Sequence, residues 1–584
     1  MSIIVQTATG PQEITIQTQP GPQVGWGRGR DIYMLATDEA NRVVPLPGTN
    51  HRRVYVSGNG LTEADIAVAE GVSVGTVTGA WLRDNHPEYG ESEALALHPS
   101  IGFALWDAIP KQNSSHWLLY ERGYTYTTAR GPGGDGESPL HPILIGAWGE
   151  GAKPVVSGVP GMGDRQNVVI QGIEIGALTV TNPSNVIVDD LATTGMLYFT
   201  DWQATAPLEG ITIRNTTIAD TDDNGILLGG IDGVLLEGVF ISNIGTPGGQ
   251  SRHSTYIGST VLDVTIRDSF ALTSPTQNGF MARGGAFMQN VIAADIWSAT
   301  HYFGEDQSGP AANYSLGLDL LSTAARHNDS QAAMNQTVLA SFVDVLFVHA
   351  NNPDDSSDTS IGNWARLGTF FSRSYQPGPP FWDNLTRWNW GGGREPGLSE
   401  GVDGLDPAVM NATTIWNYAA SLPDGQPTLA SLDGYFRGLE GTQIAEAVQA
   451  LNNYHREGFG LDLLWQRADP TTLQFIPDFR GEGTRWDNRL NWQLANGDRA
   501  DGMPLNGDTL NLRGCIVRTY QTWTGTLNLQ GGTLIVSGGK IDGSVVGPGT
   551  VRLEKAGRLG ATISGGATVD DQRAGLAASV VEWA

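Results

Sequence analysis

Asn167-Val-Val-Ile-Gln-Gly-Ile173 opens a series of short segments that share one pattern. The later segments begin at Asn185, Gly210, Gly233, Asp263 and Asn290, at intervals of 18, 25, 23, 30 and 27 residues. Each has Val or Ile at its second position, an apolar residue at its fourth, and Gly, Asn or Asp at its sixth. This alternation, followed by a turn residue, predicts a short β-strand that recurs in the same orientation.

Recurrence in one orientation favours stacked coils over hairpins. Hairpins would alternate the strand direction across two-residue Asn-Gly or Asp-Gly turns. A strand that returns in one direction suits a parallel β-helix, in which each coil buries its apolar face against its neighbours, about 4.8 Å away. With 77 Gly, 30 Pro and only 16% charged residues, the composition excludes a helical bundle or coiled coil. The chain is therefore predicted to be all-β.

Two stretches upstream of the repeats add a family resemblance. His116–Tyr126, followed by Pro142–Val156 (PILIGAWGEGAKPVV), resembles the first coils of right-handed parallel β-helix proteins of the pectate-lyase-like superfamily. The resemblance covers roughly residues 100 to 350 and implies a right-handed parallel β-helix there. It says little about chemistry, because this fold hosts lyases, hydrolases, epimerases and non-catalytic spikes.

The regions outside the repeats predict further parts. We expect a small N-terminal attachment module, the parallel β-helix, an aromatic loop with a helical segment, and a C-terminal β-solenoid or trimerisation domain, over residues 1–100, 101–350, 351–480 and 481–584. A helix is predicted after Thr442, with Ile444, Val448 and Leu451 on one face and Gly458 at its end. The Gly-Thr-Leu strands beyond residue 500 are poor in apolar residues, which predicts a weak isolated core and an intersubunit one in a homotrimer.

Charge and composition limit the partners. The 34 Lys and Arg against 61 Asp and Glu leave a net charge of −27, which excludes nucleic acid as a partner because phosphate binding needs a basic face. No apolar stretch is long enough to span a membrane. The N-terminal residues lack the features of a secretory signal, so we expect synthesis in the cytoplasm. Cys515 is the single cysteine and cannot close an internal disulfide.

Two turns beside the repeats carry the candidate catalytic residues. Aligning the strands that follow them stacks Asp223, His253 and Gln277 in one ladder and Asp222, Arg252 and Thr276 in the next. Paired carboxylates beside His and Arg suit sugar hydrolysis, which needs one protonated and one ionised acid. The arrangement resembles polygalacturonase-like hydrolases, but their Asn-Thr-Asp and Arg-Ile-Lys signatures are missing.

Other interpretations of these turns stay open. Asp222, Asp223 and Asn224 could form only an Asx-type turn, with His253 capping a loop. In a lyase, Arg283 or Arg252 could act as the base or bind an acidic sugar. We expect no metal and no cofactor here, because Ile231 stands where a calcium loop starting at Asp220 would place Glu.

An aromatic run supplies the candidate sugar-binding residues. Its members proposed to bind substrate, together with Arg283, are Trp364, Trp382, Trp388 and Trp390. Flat rings on a surface stack against sugar rings. The alternative is that these rings form a satellite core under a lid.

Three functions from different classes follow. The first is a spike or fibre protein in the tail or head of a virion, or of a phage-like particle, that binds host cell-surface polysaccharide and could cleave it. In this class the chain is similar to phage tailspikes and to head spikes of gene transfer agents, with capsid or tail proteins as partners of the N-terminal module. The second is a free-standing polysaccharide lyase or glycoside hydrolase, and the third is a secreted adhesin or surface-layer protein. We favour the spike, acting by receptor binding more than by catalysis.

Overall fold

The computed structural model of this chain is mostly β, with 43% of residues in strands and 16% in helices. It describes residues 2–7, 10–15, 35, 37–38, 42–200, 208–304, 315–323, 331–335, 340–348, 371–372, 381–388, 414–464 and 469–572, with short gaps inside 208–304 and 469–572. An antiparallel pair of strands, Ser2–Thr7 and Gly10–Thr15, lies at the N-terminus. None of the helices in these ranges is long and apolar enough to cross a membrane.

A long parallel sheet runs through the middle of the chain. Its strands are Arg53–Leu61, Trp117–Glu121, Ile143–Trp148, Gln166–Gln171, Ser184–Asp189, Leu208–Ala219, Ile231–Ser242, Leu262–Ser274, Phe287–Ile296, Ser315–Leu318, Leu321–Thr323, Ala340–Val348 and Phe381–Trp388. Short strands continue the early coils: Thr125–Tyr126, Val155–Val156, Glu174–Ile175 and Ala192–Thr193. Each strand pairs in parallel with its counterpart in the next coil.

A second parallel sheet completes each coil. Its strands are Leu178–Thr181, Leu197–Thr200, Ile226–Gly229, Thr255–Ile257, Phe280–Ala282, Ala299–Phe303, Gln331–Asn335 and Phe371–Ser372. Alternate residues of both sheets point inward, so that Val186, Ile211 and Val234 stack on one wall while Phe199, Leu228 and Ile257 stack in the other, all fully buried. This parallel stacking confirms the predicted β-helix-like arrangement, and its right-handedness stays a prediction.

The turn residues of the repeat adopt a left-handed backbone conformation. All six sixth-position residues have φ between 49° and 70°: Gly172, Asp190, Asn215, Gly238, Asp268 and Asp295. Asn, Asp and Gly tolerate this region best, which explains why the repeat uses only these three types. The residue bends the strand inside one coil without a long loop.

One repeat segment is out of phase with the others. Ser269 pairs with Val291, so Asn290 lies opposite Asp268 and donates a 2.7 Å hydrogen bond to its carboxylate. The predicted alignment of Asn290 with Asp263 is therefore wrong by five residues. The alignment failed because Asn, Asp and Gly occur at both the first and the sixth position of the repeat, where the backbone turns. The sequence alone cannot tell these two positions apart.

The N-terminal region joins the first coil directly. Arg53–Leu61 pairs in parallel with Trp117–Glu121, and three helices follow it: α1 (Glu63–Glu70), α2 (Gly79–Asn85) and α3 (Pro99–Ala108). Leu82, Ile101 and Trp106 belong to the same buried cluster as the β-helix interior. The predicted division at residue 100 is therefore not a structural boundary here, because the helices close the end of the apolar core. An attachment role stays a prediction.

A group of helices covers the long sheet from outside: α4 (Ile415–Ser421), α5 (Leu429–Arg437) and α6 (Gln443–Gly458). The predicted helix after Thr442 is confirmed with Gly458 as its last residue, although the Thr442 side chain makes no capping hydrogen bond. Asn452 of α6 is buried and donates to the Asn290 side-chain oxygen at 2.9 Å and the Asp319 carbonyl oxygen at 2.8 Å.

The C-terminal strands form a narrower parallel solenoid. One sheet holds Thr472–Phe475, Thr509–Asn511, Trp523–Asn528, Lys540–Val546, Arg558–Leu559 and Thr562–Ser564, with Trp492–Leu494 antiparallel at its edge. The other holds Ile516–Thr519, Thr533–Val536, Gly549–Leu553 and Ala567–Asp571. Leu510, Leu527 and Val545 are fully buried between these sheets with three Trp side chains. These strands therefore bury an apolar core of their own, and the predicted weakness of that core in isolation stays a prediction.

Candidate functional site

The turn between Ala219 and Ile226 is held by its own polar side chains. The Asp223 amide donates to the Thr221 hydroxyl at 3.1 Å, and the Asn224 amide donates to the Asp223 carboxylate at 3.0 Å. The Asn224 side-chain oxygen then accepts the His253 amide of the next coil at 2.8 Å. These hydrogen bonds are those of a polar turn, as expected from the interpretation of Asp222, Asp223 and Asn224 as an Asx-type turn.

The predicted ladder register is wrong by one residue. Ile226 pairs with Thr255, which pairs with Phe280, so Asp223 lies beside Arg252 and Asn224 beside His253. The prediction had set Gly225 against Thr255. Gly225 instead lies on the Ser254 carbonyl oxygen, where a Cβ atom would approach to 2.6 Å.

The physical reason for the slip is the Thr255 side chain, which points inward. Thr255 is buried on the inner face of the second sheet, between Ile226 and Phe280. Its hydroxyl accepts a 3.0 Å hydrogen bond from the Met281 amide. A polar residue therefore takes an interior position that alternation alone assigns to an apolar one.

Asp223 and Arg252 form an ion pair on the turn. The Arg252 Nε lies 3.3 Å from Asp223 Oδ1, with the side chains 28% and 45% exposed. Arg252 also donates to the Asp222 carbonyl oxygen at 3.3 Å, and the Asp222 carboxylate accepts a hydrogen bond from Thr246. Such a solvated pair stabilises the fold by at most about 1 kcal/mol. Both carboxylates are engaged by donors, which favours a role in shaping the surface over the paired acid and base of hydrolysis.

Tyr256 contacts two of the predicted site residues, His253 and Arg283. It lies on the outward face of Thr255–Ile257, and its ring contacts the His253 ring edge-to-face at 5.2 Å between centroids. The Arg283 guanidinium lies 5.6 Å from the centre of the Tyr256 ring and donates to its hydroxyl. Tyr256 was not predicted as a site residue, although its place between inward Thr255 and Ile257 could have marked it as outward-facing.

Tyr256 belongs to an outward row on the second sheet. The register places these residues opposite one another in successive coils: Thr179, Tyr198, Leu227, Tyr256, Met281 and Tyr302. Thr179 is exposed and the next three residues are half-buried, whereas Met281 and Tyr302 are 4% and 2% exposed. The accessible part of the row therefore spans four coils and ends at Tyr256.

The predicted aromatic platform is only partly within the described residues. Trp364 and Trp390 lie outside them. Trp382 and Trp388 are in the strand Phe381–Trp388, where their backbones pair with Phe342 and Val348. Their role in sugar binding stays a prediction.

A buried row of charges crosses the outer face of the long sheet. Arg214, Glu237 and Arg267 occupy equal positions in successive coils, and Glu237 lies 2.6 Å from a nitrogen of each guanidinium. Burial opposes ionisation of Glu237, but the two Arg residues outweigh it and lower its pKa to about 2. The row is a set of ion pairs in which Glu237 is shared by two Arg residues, so we assign it to fixing the register of the coils.

The same position of the preceding coil holds another buried acid. Asp189 accepts the Val43 amide at 2.7 Å and the Gln171 side chain at 3.0 Å. Burial raises the pKa of Asp189, although Arg214 acts against the shift. These residues occupy the fifth position of the repeat, a signal that could have revealed the row from the sequence.

Comparisons with known proteins give little further information. No protein-family model and no curated protein matches the chain. A solved structure of a variant of the PL6-family alginate lyase AlyGC is similar at 8% identity and a TM-score of 0.18, over 82% of this chain and 73% of that chain. The fold assignment therefore rests on the parallel register of the strands, and no family is assigned.

Proposed function

We propose that this chain is a receptor-binding spike of a virion or phage-like particle, in its tail or head, and that it binds host cell-surface polysaccharide. The accessible outward row that ends at Tyr256 carries the proposal. It offers aromatic rings in register along stacked coils, with hydrogen-bond donors and acceptors at one edge. Rings stack on sugar faces, and a few fixed polar groups give orientation.

The shape of the row supports an extended ligand. Successive coils place equal positions about 4.8 Å apart, so Tyr198 and Tyr256 are about 10 Å apart along the coil axis. A linear polymer can contact both rings at once, whereas a monosaccharide can contact only one. A polysaccharide is therefore the class of ligand that can contact the whole row.

Binding is tested with the purified protein on an array of bacterial surface glycans. Tyr256→Ala and Arg283→Gln should each weaken binding at least about tenfold, because they remove the aromatic ring and the guanidinium at the polar end of the row. Arg552→Gln, a partly exposed guanidinium in the C-terminal solenoid, is the matched control and should bind normally. Absence of any glycan ligand, or normal binding by Tyr256→Ala, would contradict the assignment of this surface.

The particle assignment needs its own measurement. A spike of this class is expected to be a homotrimer attached through its N-terminal region to capsid or tail proteins. Sedimentation of the full chain should give a trimer that unfolds slowly. A stable monomer at micromolar concentration would count against the spike and leave a free-standing binding protein or enzyme.

A polysaccharide lyase is the second candidate, favoured by the contact of Arg283 with the Tyr256 hydroxyl. In a lyase, Arg283 would bind the carboxylate of an acidic sugar, and Tyr256, beside His253, would take part in the proton transfer. Incubation with acidic polysaccharides should then release unsaturated products detected by ultraviolet absorbance, and Tyr256→Phe should abolish the release while preserving binding. Binding without any product supports the spike as a pure receptor.

A further inference from the structure

Three side chains with metal-ligating atoms converge between α1 and the end of α2. Glu70 is the last residue of α1, His86 follows α2 directly, and Glu88 lies in the next turn. The His86 Nδ1 atom lies 3.1 Å from Glu88 Oε1 and 3.6 Å from Glu70 Oε2. One ligand atom from each residue lies within 4.8 Å of the other two.

The two separations from His86 suit a small tetrahedral site. Zinc bonds of about 2.1 Å to nitrogen and oxygen place tetrahedral ligands about 3.4 Å apart. The two measured separations, 3.1 and 3.6 Å, lie on either side of that value.

The two carboxylates share one imidazole donor, and the Arg52 guanidinium, which donates to the Pro87 carbonyl oxygen, also acts on Glu88. Nδ1 carries at most one proton, so His86 can donate through it to only one of the two carboxylates. The other carboxylate oxygen is then held near a like charge, at a place where the Glu70 and His86 side chains are only 28% and 21% exposed. A divalent cation would relieve this repulsion by binding both carboxylates.

Neighbouring side chains orient two of the ligands. The Tyr89 hydroxyl, on a residue 6% exposed, donates to Glu70 Oε1 at 2.6 Å and leaves Oε2 directed at His86. The Trp81 ring packs on the His86 ring at 4.3 Å between centroids. Supporting contacts of this kind fix ligand geometry in metal sites.

We propose that Glu70, His86 and Glu88 bind one zinc-class divalent cation. A ligand set of one imidazole nitrogen and two carboxylate oxygens suits Zn²⁺, whereas Ca²⁺ takes six to eight oxygens and Mg²⁺ prefers an octahedral shell rich in water. Glu88 is 52% exposed, so water can complete the coordination. The ion would join α1 to α2 at the closed end of the β-helix. This site is independent of the proposed glycan surface.

The test is calorimetric titration of the full chain with Zn²⁺ after treatment with a chelator. One equivalent should bind, and His86→Ala and Glu88→Gln should each weaken binding by more than about tenfold, with Tyr89→Phe weakening it by about tenfold. His98→Ala is the matched control, because His98 contacts Ser100 at the start of α3. It should bind zinc as the unmodified chain does.

Thermal unfolding gives the second readout. Zinc should raise the melting temperature of the unmodified chain and of His98→Ala, but not of Glu88→Gln. Glu88 is the most exposed ligand, so its substitution should leave the metal-free melting temperature unchanged. Failure of the unmodified chain to bind Zn²⁺, or unchanged binding by both His86→Ala and Glu88→Gln, would overturn the proposal.

Discussion

Replacing Asp268 with Asn should stabilise the protein at alkaline pH. Ionisation of this carboxyl in the folded protein lowers the free energy of unfolding there. Asp268 has φ of 49°, a conformation that Asn also adopts readily. Its Oδ1 accepts a 2.7 Å hydrogen bond from Asn290. Burial raises the pKa of Asp268 to about 7, although the hydrogen bond and Arg267 act in the opposite direction. An amide keeps the acceptor oxygen and carries no charge.

The magnitude follows from the difference between folded and unfolded pKa values. The pKa of Asp268 rises from 3.8 to about 7, and each unit corresponds to about 1.4 kcal/mol, which sets an upper limit of about 4 kcal/mol. Solvent contact at this partly buried carboxyl lowers the expected gain to about 2 kcal/mol. A raised acid pKa stabilises the fold below pH 3.8, and this contribution is lost as the pH rises to about 7.

Urea unfolding of both proteins at about pH 4 and about pH 8 measures the effect. The variant should exceed the parent in free energy of unfolding near pH 8 and equal it near pH 4. Asp220→Asn is the control, because Asp220 also has a left-handed backbone (φ 58°) but its hydrogen bond with Arg437 lowers its pKa. That change should destabilise by less than about 1 kcal/mol above pH 4. A pH-independent gain for Asp268→Asn, or none, would refute the reasoning.

Three further substitutions test the packing of the coils. Glu237→Gln leaves two buried guanidinium groups without their counter-charge and should lower the free energy of unfolding by about 3 to 5 kcal/mol, measured by urea denaturation at neutral pH. Asn452→Ala removes two buried hydrogen bonds that anchor α6; we expect a loss of about 1 to 3 kcal/mol and faster limited proteolysis of the helices. Gly225→Val places a side chain against the neighbouring coil and should lower the melting temperature, whereas Gly176→Val, whose Cβ atom would meet no other atom within 4 Å, should change it little.

The parallel coils could be predicted from the sequence because their signals are local. The second position of each repeat must be apolar to point inward, and the sixth must tolerate positive φ, so residue type alone marks both. The register of the second sheet could not be predicted in this way. It depends on loops of unequal length and on inward-facing Thr255, whose polarity hides its interior position.

The candidate site was predictable only in part. The sequence predicted that the turn with Arg252 and His253 stacks on the turn with Asp222 and Asp223, and the structure pairs Asp223 with Arg252. The contact of Tyr256 with Arg283 depends on the register between coils. Glu70 and His86 come together because α1 packs near the end of α2. The spacing of the two residues in the sequence does not predict this contact.

Cross-linking through paired cysteines tests the stacked parallel coils most directly. In a chain with Cys515 replaced by Ser, Thr179→Cys and Tyr198→Cys face outward at paired positions, so their Cα atoms should lie within the range that a disulfide spans. We expect rapid disulfide formation for this pair and none for Thr179→Cys with Leu227→Cys, which lie two coils apart at about 10 Å. Efficient cross-linking of the second pair, with failure of the first, would contradict the coil arrangement on which the proposed glycan surface depends.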